Sequence, residues 1–125
     1  MTGYSGTPLP KKLGIAPGLA VAVLGGTVPG VEADATLDAG PYDVIVLFVT
    51  RRADLEGRLA EVRAAMNPAA GFWVAWPKRA SKVPTDMTED VVRAIALPTG
   101  LVDNKVCAID AVWSGLRLVI RRELR

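Results

Sequence analysis

The stretch that most constrains the fold runs from Tyr42 to Trp76: YDVIVLFVT, then RADLEGRLAEVRAAMNP, then AAG, then FWVAW. The first run is apolar on both faces and rich in Val and Ile, as suits a strand buried within a parallel sheet. The second carries Leu55, Leu59, Val62 and Met66 at helical spacing, with Glu56, Arg58, Glu61 and Arg63 largely opposite. Asn67-Pro68 predicts its end, because a residue before proline avoids the α region. After a short AAG turn, FWVAW reads as a second buried strand. Strand, helix and strand in that order predict a right-handed parallel crossover.

The flanks extend this unit. LAVAVLGG, residues 19–26, is a short apolar run whose valines favour a strand, while TVPGVEADATLDAGP leaves a short helix and a short strand both open. TDMTEDVVRAIALPTG predicts a helix opened by Asp86 or Thr88 and closed by Pro98 and Gly100. The remainder predicts two strands around a turn near Trp113-Ser114-Gly115. Residues 1–18 are rich in Pro and Gly and are expected to pack on the sheet. The expected fold is a single α/β domain over residues 1–125. It has a mostly parallel, Rossmann-like sheet, helices on its faces and a C-terminal antiparallel hairpin.

Composition narrows the chemistry. The 125 residues contain no histidine, which removes Ser-His-Asp and Cys-His nucleophiles, histidine acid–base work and most zinc sites. A lone cysteine, Cys107, excludes an internal disulfide and fits a reducing compartment. Its apolar strand context predicts a small core residue. The net charge of +2 is too small to imply nucleic acid. No apolar run approaches the roughly 20 residues of a membrane helix, and the N-terminus lacks the apolar segment of a secretory signal. A cytoplasmic location is expected, with no membrane partner.

Open α/β sheets bind ligands at the carboxyl ends of their parallel strands. Those ends are expected at Gly25 and Gly26, at Thr50 and Arg51, and at Trp76, Lys78, Ser81 and Lys82. The last group lies where FWVAW runs into PKRASK. Bare backbone, guanidinium, ammonium and an indole together suit an anion with a flat apolar part. Lys11 and Lys12 could reach over the sheet as a lid. Each has an ordinary reading too: glycine pairs make turns, and strands end in solvated cations. Trp73, Trp76 and Trp113 are expected mostly in the core. Asp86, Glu89 and Asp90 look like helix-capping charges.

YSGTPLPKKLGIAPG, DVIVLFV, WPKRASK and GLVDNKVCAIDAVWSGLRLV resemble a bacterial family catalogued only as a domain of unknown function. LGIAPGLAVAVLGG, PYDVIVLFVT and NPAAGFWVAW are also similar to strands of class I S-adenosylmethionine-dependent methyltransferases. That second resemblance implies a cofactor cradle of several spaced glycines, of which only Gly25-Gly26 is offered. It also implies an acid at the end of a second strand, with Glu32, Asp34 and Asp38 as candidates. These departures lead to the main expectation: a non-enzymatic binding or regulatory domain, without a cofactor, holding a small anionic ligand or a protein partner. The alternative is a small S-adenosylmethionine- or nucleotide-dependent transferase. A homodimer paired through an edge strand is a third reading.

Overall fold

The computed structural model describes residues 7–125. Strands β1 (Val21–Leu24), β2 (Tyr42–Phe48), β3 (Met66–Pro77), β4 (Leu101–Ala108) and β5 (Trp113–Ile120) form one sheet. Their order is β1-β2-β3-β5-β4. β1, β2 and β3 pair in parallel, and β5 runs antiparallel to both of its neighbours. Four strands therefore point one way and β5 points back, which is the expected α/β sheet with its closing hairpin.

The crossover helix α2 (Arg52–Ala64) buries Leu55, Leu59 and Val62. It stops earlier than Asn67-Pro68 predicts. Met66 leaves the helical stripe to pair with Tyr42, and the expected AAG turn is extended chain within β3. Pro68 cannot donate a helical hydrogen bond and biases Asn67 to extended geometry, so the chain straightens before the proline. A register shift between Tyr42 and Val44 takes up the mismatch.

Helix α3 (Glu89–Ala96) is capped by Thr88, whose hydroxyl accepts from the Val91 N–H at 3.1 Å. Asp86 caps the other helix, accepting from the Arg52 N–H at 2.7 Å. Two arginines at the start of α2 oppose its dipole, and the Asp86 carboxylate supplies the anion that the N-terminus favours. α3 closes through a 3-10 turn at Leu97–Thr99 and Gly100. The hairpin turn lies at Asp110–Val112 rather than near Trp113-Ser114-Gly115. Asp110 Oδ1 accepts from the N–H groups of Val112 and Trp113, both at 2.8 Å, so the aspartate rather than the glycine sets the turn. The long connection before β2 contributes only one parallel bridge, Ala22 with Asp34.

The core has two layers. Leu24, Leu47, Phe72, Trp76 and Leu118 pack against Leu55 of α2 and Val92 of α3. On the opposite face Val23, Val46, Phe48 and Trp73 meet Leu13. No full-length helix covers that second face. A single helical turn, α1 (Leu9–Lys12), delivers Leu13, whose carbonyl accepts from Trp73 Nε1 at 2.9 Å. The expectation for the first 18 residues extends to 1–6, which lie outside the described residues. No described helix is long and apolar enough to cross a membrane.

Candidate functional site

The carboxyl ends of the three parallel strands differ sharply. Gly25 has φ +76°, and a Cβ there would lie 2.7 Å from the Phe48 carbonyl oxygen. A Cβ on Gly26 would lie 2.6 Å from the Phe48 ring. The bare backbone that could have cradled a phosphate is thus filled by the protein's own aromatic side chain. That ring meets Trp113 edge-on, with centroids 5.1 Å apart and planes at 88°. The β1 end is closed by packing.

At the end of β2, Thr50 is half-buried and its carbonyl accepts from the Thr85 hydroxyl, tying down the loop before α3. Arg51 is exposed beside it. At the end of β3, Trp76 is buried next to the α3 layer, and the Lys78 N–H donates to Val112 O at 2.7 Å. Ser81 Oγ donates back to Lys78 O at 2.6 Å and fixes the turn. Lys82 closes that turn with φ 61°, the one non-glycine left-handed residue among those described.

Two grooves open at this third end. One, of 530 Å³, is lined by Trp76, Lys78, Lys82, Thr88, Glu89 and Ser114. The other, of 730 Å³, is lined by Leu9, Lys12, Lys78, Cys107 and Asp110. Trp76 belongs to the helical face of the sheet and Cys107 to the opposite one, so Lys78 stands on the ridge between them. The structure therefore gathers Trp76, Lys78 and Lys82 on one side of the ridge and Lys12 with Lys78 on the other. Gly25, Gly26, Thr50, Arg51, Ser81 and Lys11 line neither groove.

Burial pushes the Cys107 thiol pKa up, and the Lys12 and Lys105 charges only partly oppose it. The thiol is therefore a poor nucleophile near neutral pH, as its strand context implied. Glu89 is ion-paired with Arg93, which Asp103 also holds at 3.0 Å. Ser114 was missed as a groove residue because the sequence places it in the hairpin turn. Its pairing with Trp76 across β3 and β5 brings it to the strand end.

The acids implied for ribose binding are not at this end. Asp34 Oδ2 accepts from the Tyr42 hydroxyl at 2.6 Å, and Tyr42 begins β2. That hydrogen bond, with burial, holds the Tyr42 pKa above its ordinary value. Asp38 shares a surface hollow with Ala64 and Ala65, where α2 ends. Glu32 lies beside Val21, the first residue of β1. With Phe48 over the glycines and all three acids toward the amino side, the β1 end does not fit S-adenosylmethionine as the resemblance implies. No group of His, Cys, Asp or Glu suited to a metal exists among the described residues.

Solved structures of similar shape are methyltransferases. A ribosomal protein L11 methylase from Lactobacillus delbrueckii subsp. bulgaricus superposes with TM-score 0.60 and 11% identity, over 91% of this chain and 76% of that one. Magnesium protoporphyrin IX methyltransferase from Synechocystis PCC 6803, with S-adenosylmethionine bound, gives TM-score 0.61 and 10% identity, over 83% and 71%. The fold is methyltransferase-like. Neither a family model nor a curated protein matches the chain, so the likeness to the bacterial family of unknown function has no support. The methyltransferase-like likenesses also overturn the expectation of a non-enzymatic binding or regulatory domain. They side with its alternative, the transferase. At these identities the likeness speaks for the fold, and the chemistry has to come from this chain's own residues.

Proposed function

We propose that this chain is a small transferase of the S-adenosylmethionine- or nucleotide-dependent kind, whose ligand sits at the β3 end of the sheet. The observation that carries the reading is the pair of open grooves meeting at Lys78, on a sheet with a methyltransferase-like strand order. Trp76 supplies an apolar wall, Thr88 and Ser114 supply hydroxyls, and Lys78 with Lys82 supplies positive charge. Such a lining suits a ligand with a flat ring system and an anionic group, which the ammonium groups hold as point charges. Lys82 adds independent support. A lysine held in left-handed geometry costs roughly 1 kcal/mol, and strain of that kind concentrates at ligand sites.

The chain's own residues restrict the transfer step. With no histidine, a proton leaving an acceptor has Asp110 in one groove and Glu89 in the other as its carboxylate destinations. Asp110 is engaged with the backbone of its turn and Glu89 with Arg93. An acceptor that is already deprotonated at neutral pH therefore suits the site better than one needing a strong base.

The test is thermal stability of the purified protein against S-adenosylmethionine, S-adenosylhomocysteine and common nucleotides, with Lys78→Ala in parallel. A ligand at one hundred times its dissociation constant adds about 2.7 kcal/mol, several degrees for a domain of this size. Stabilisation by an adenosyl compound or nucleotide that Lys78→Ala abolishes is the expected result. No stabilisation by any of them at millimolar concentration ends the reading.

A further inference from the structure

On the sheet face opposite α2 and α3, the hairpin carries a second charged feature. Lys105 of β4 stands directly across from Arg117 of β5. Like charges so placed repel. Arg117 is half-buried, and its guanidinium lies on Gly71 of β3: a Cβ there would be 2.5 Å from Nε, 2.8 Å from Nη2 and 2.9 Å from Cζ. Three near-equal distances mean that the plane is stacked face-on over the glycine. Nη1 donates to Asn104 Oδ1 at 3.3 Å, which fixes the rotation of the plane. The Nε–Nη2 edge, the fork that grips an oxyanion with two parallel hydrogen bonds, has no acceptor among the described residues.

No carboxylate balances this charge. Arg117, Lys105 and the nearby Arg125 form no ion pair among the described residues, and the first six residues contain no acid. Asp103, the one acid on β4, turns to Arg93 of α3. Burial, and then the Arg125 charge, push the Arg117 pKa down, so the cation is under-compensated where it sits. Lys105 Nζ donates to Lys12 O at 3.2 Å, which holds the ammonium over the same face.

We infer that the Arg117 fork, with Lys105 opposite and Asn104 and Gly71 setting its plane, is a binding site for a phosphate group. A phosphate dianion rather than a carboxylate suits two adjacent cations with a third, Arg125, alongside. The site is separate from the strand-end grooves, and neither groove includes Arg117 or Lys105. It does not depend on the transferase reading.

The probes are inorganic pyrophosphate and a short single-stranded oligonucleotide, titrated calorimetrically into wild type, Arg117→Lys, Asn104→Ala and Lys78→Ala. Arg117→Lys keeps the charge and removes the fork, and is expected to weaken pyrophosphate at least tenfold. Asn104→Ala frees the guanidinium to rotate and is expected to weaken it several-fold. Asn104 is exposed, so this variant keeps the test standing should the residue 117 variant fail to fold. Lys78→Ala is expected to leave pyrophosphate unchanged. Oligonucleotide binding that needs Arg117, with no pyrophosphate binding, would mean that the phosphate comes from a nucleic-acid backbone, and the site would stand. Anion binding equal in wild type, Arg117→Lys and Asn104→Ala, or absent throughout, overturns the proposal. A loss in Lys78→Ala alone would move the anion to the ridge and overturn it too.

Discussion

The carboxyl ends of β1 and β3 lie in one sheet, two strands apart, and are built on opposite principles. At the β1 end two glycines remove side chains so that Phe48 and Trp113 can fill the space. At the β3 end a lysine occupies a left-handed position that glycine would hold at no cost, and the space beside it stays open. The first end spends its sequence on packing. The second accepts strain and keeps a cleft. Function in this fold is therefore to be sought at β3, although the resemblance pointed to the glycines.

The largest effect should come from emptying the closed end. Phe48 is buried between the glycines, Trp113 and the opposite-face layer. Phe48→Ala is expected to cost about 3 kcal/mol, the low end for such truncations because the rim beside Gly25 and Gly26 is exposed and can relax. Chemical denaturation measures it. A cost below about 1 kcal/mol would show that the ring is not what closes the β1 end.

Gly25→Ala should follow at about 2 kcal/mol. Its φ of +76° disfavours any Cβ, and the 2.7 Å approach to the Phe48 carbonyl is to backbone that cannot swing aside. If Gly25→Ala were instead tolerated and removed ligand binding, the glycine would belong to a cradle after all. The contrast between the two ends would then collapse.

How far this contrast was legible depended on which force set each element. The β2-α2-β3 unit and the closing hairpin follow from apolar patterning, and the structure has them. The helix end was misplaced by proline chemistry, which extends the chain from Met66 rather than at Asn67. The hairpin turn was misplaced because Asp110, read as a strand residue, caps the turn instead. That error hid Ser114 from the groove. Phe48 over Gly26 and Arg117 over Gly71 are contacts between different strands, and no local pattern announces them. The only trace of the second is a glycine in the apolar run before FWVAW and an arginine in the apolar run GLRLVI.

Cys107 tests the open side of the comparison through pH. Its thiol lines the larger groove, half-buried, with its pKa above the ordinary value because burial disfavours the thiolate. A folded-state pKa above the unfolded value gives stability that is fully present below the unfolded value. It is lost as the pH rises through the folded one. Alkylation of native protein should therefore show a midpoint above that of a free thiol, and Lys105→Ala should move it higher by removing an opposing cation. A midpoint at or below the free value would mean that the groove activates the thiol.

The smallest effect is expected at Lys82, and it separates strain from function most directly. Lys82→Gly removes the Cβ penalty of a left-handed residue but adds freedom to the unfolded chain, so the gain should be under about 1 kcal/mol. The turn keeps its Ser81 Oγ to Lys78 O bond, and the backbone should not change. A glycine that matches or exceeds wild-type stability while weakening the ligand found by thermal shift would show the lysine retained for its ammonium. A glycine that destabilises would mean that the aliphatic stem packs in the groove, and the strain argument for the β3 end would lose its force.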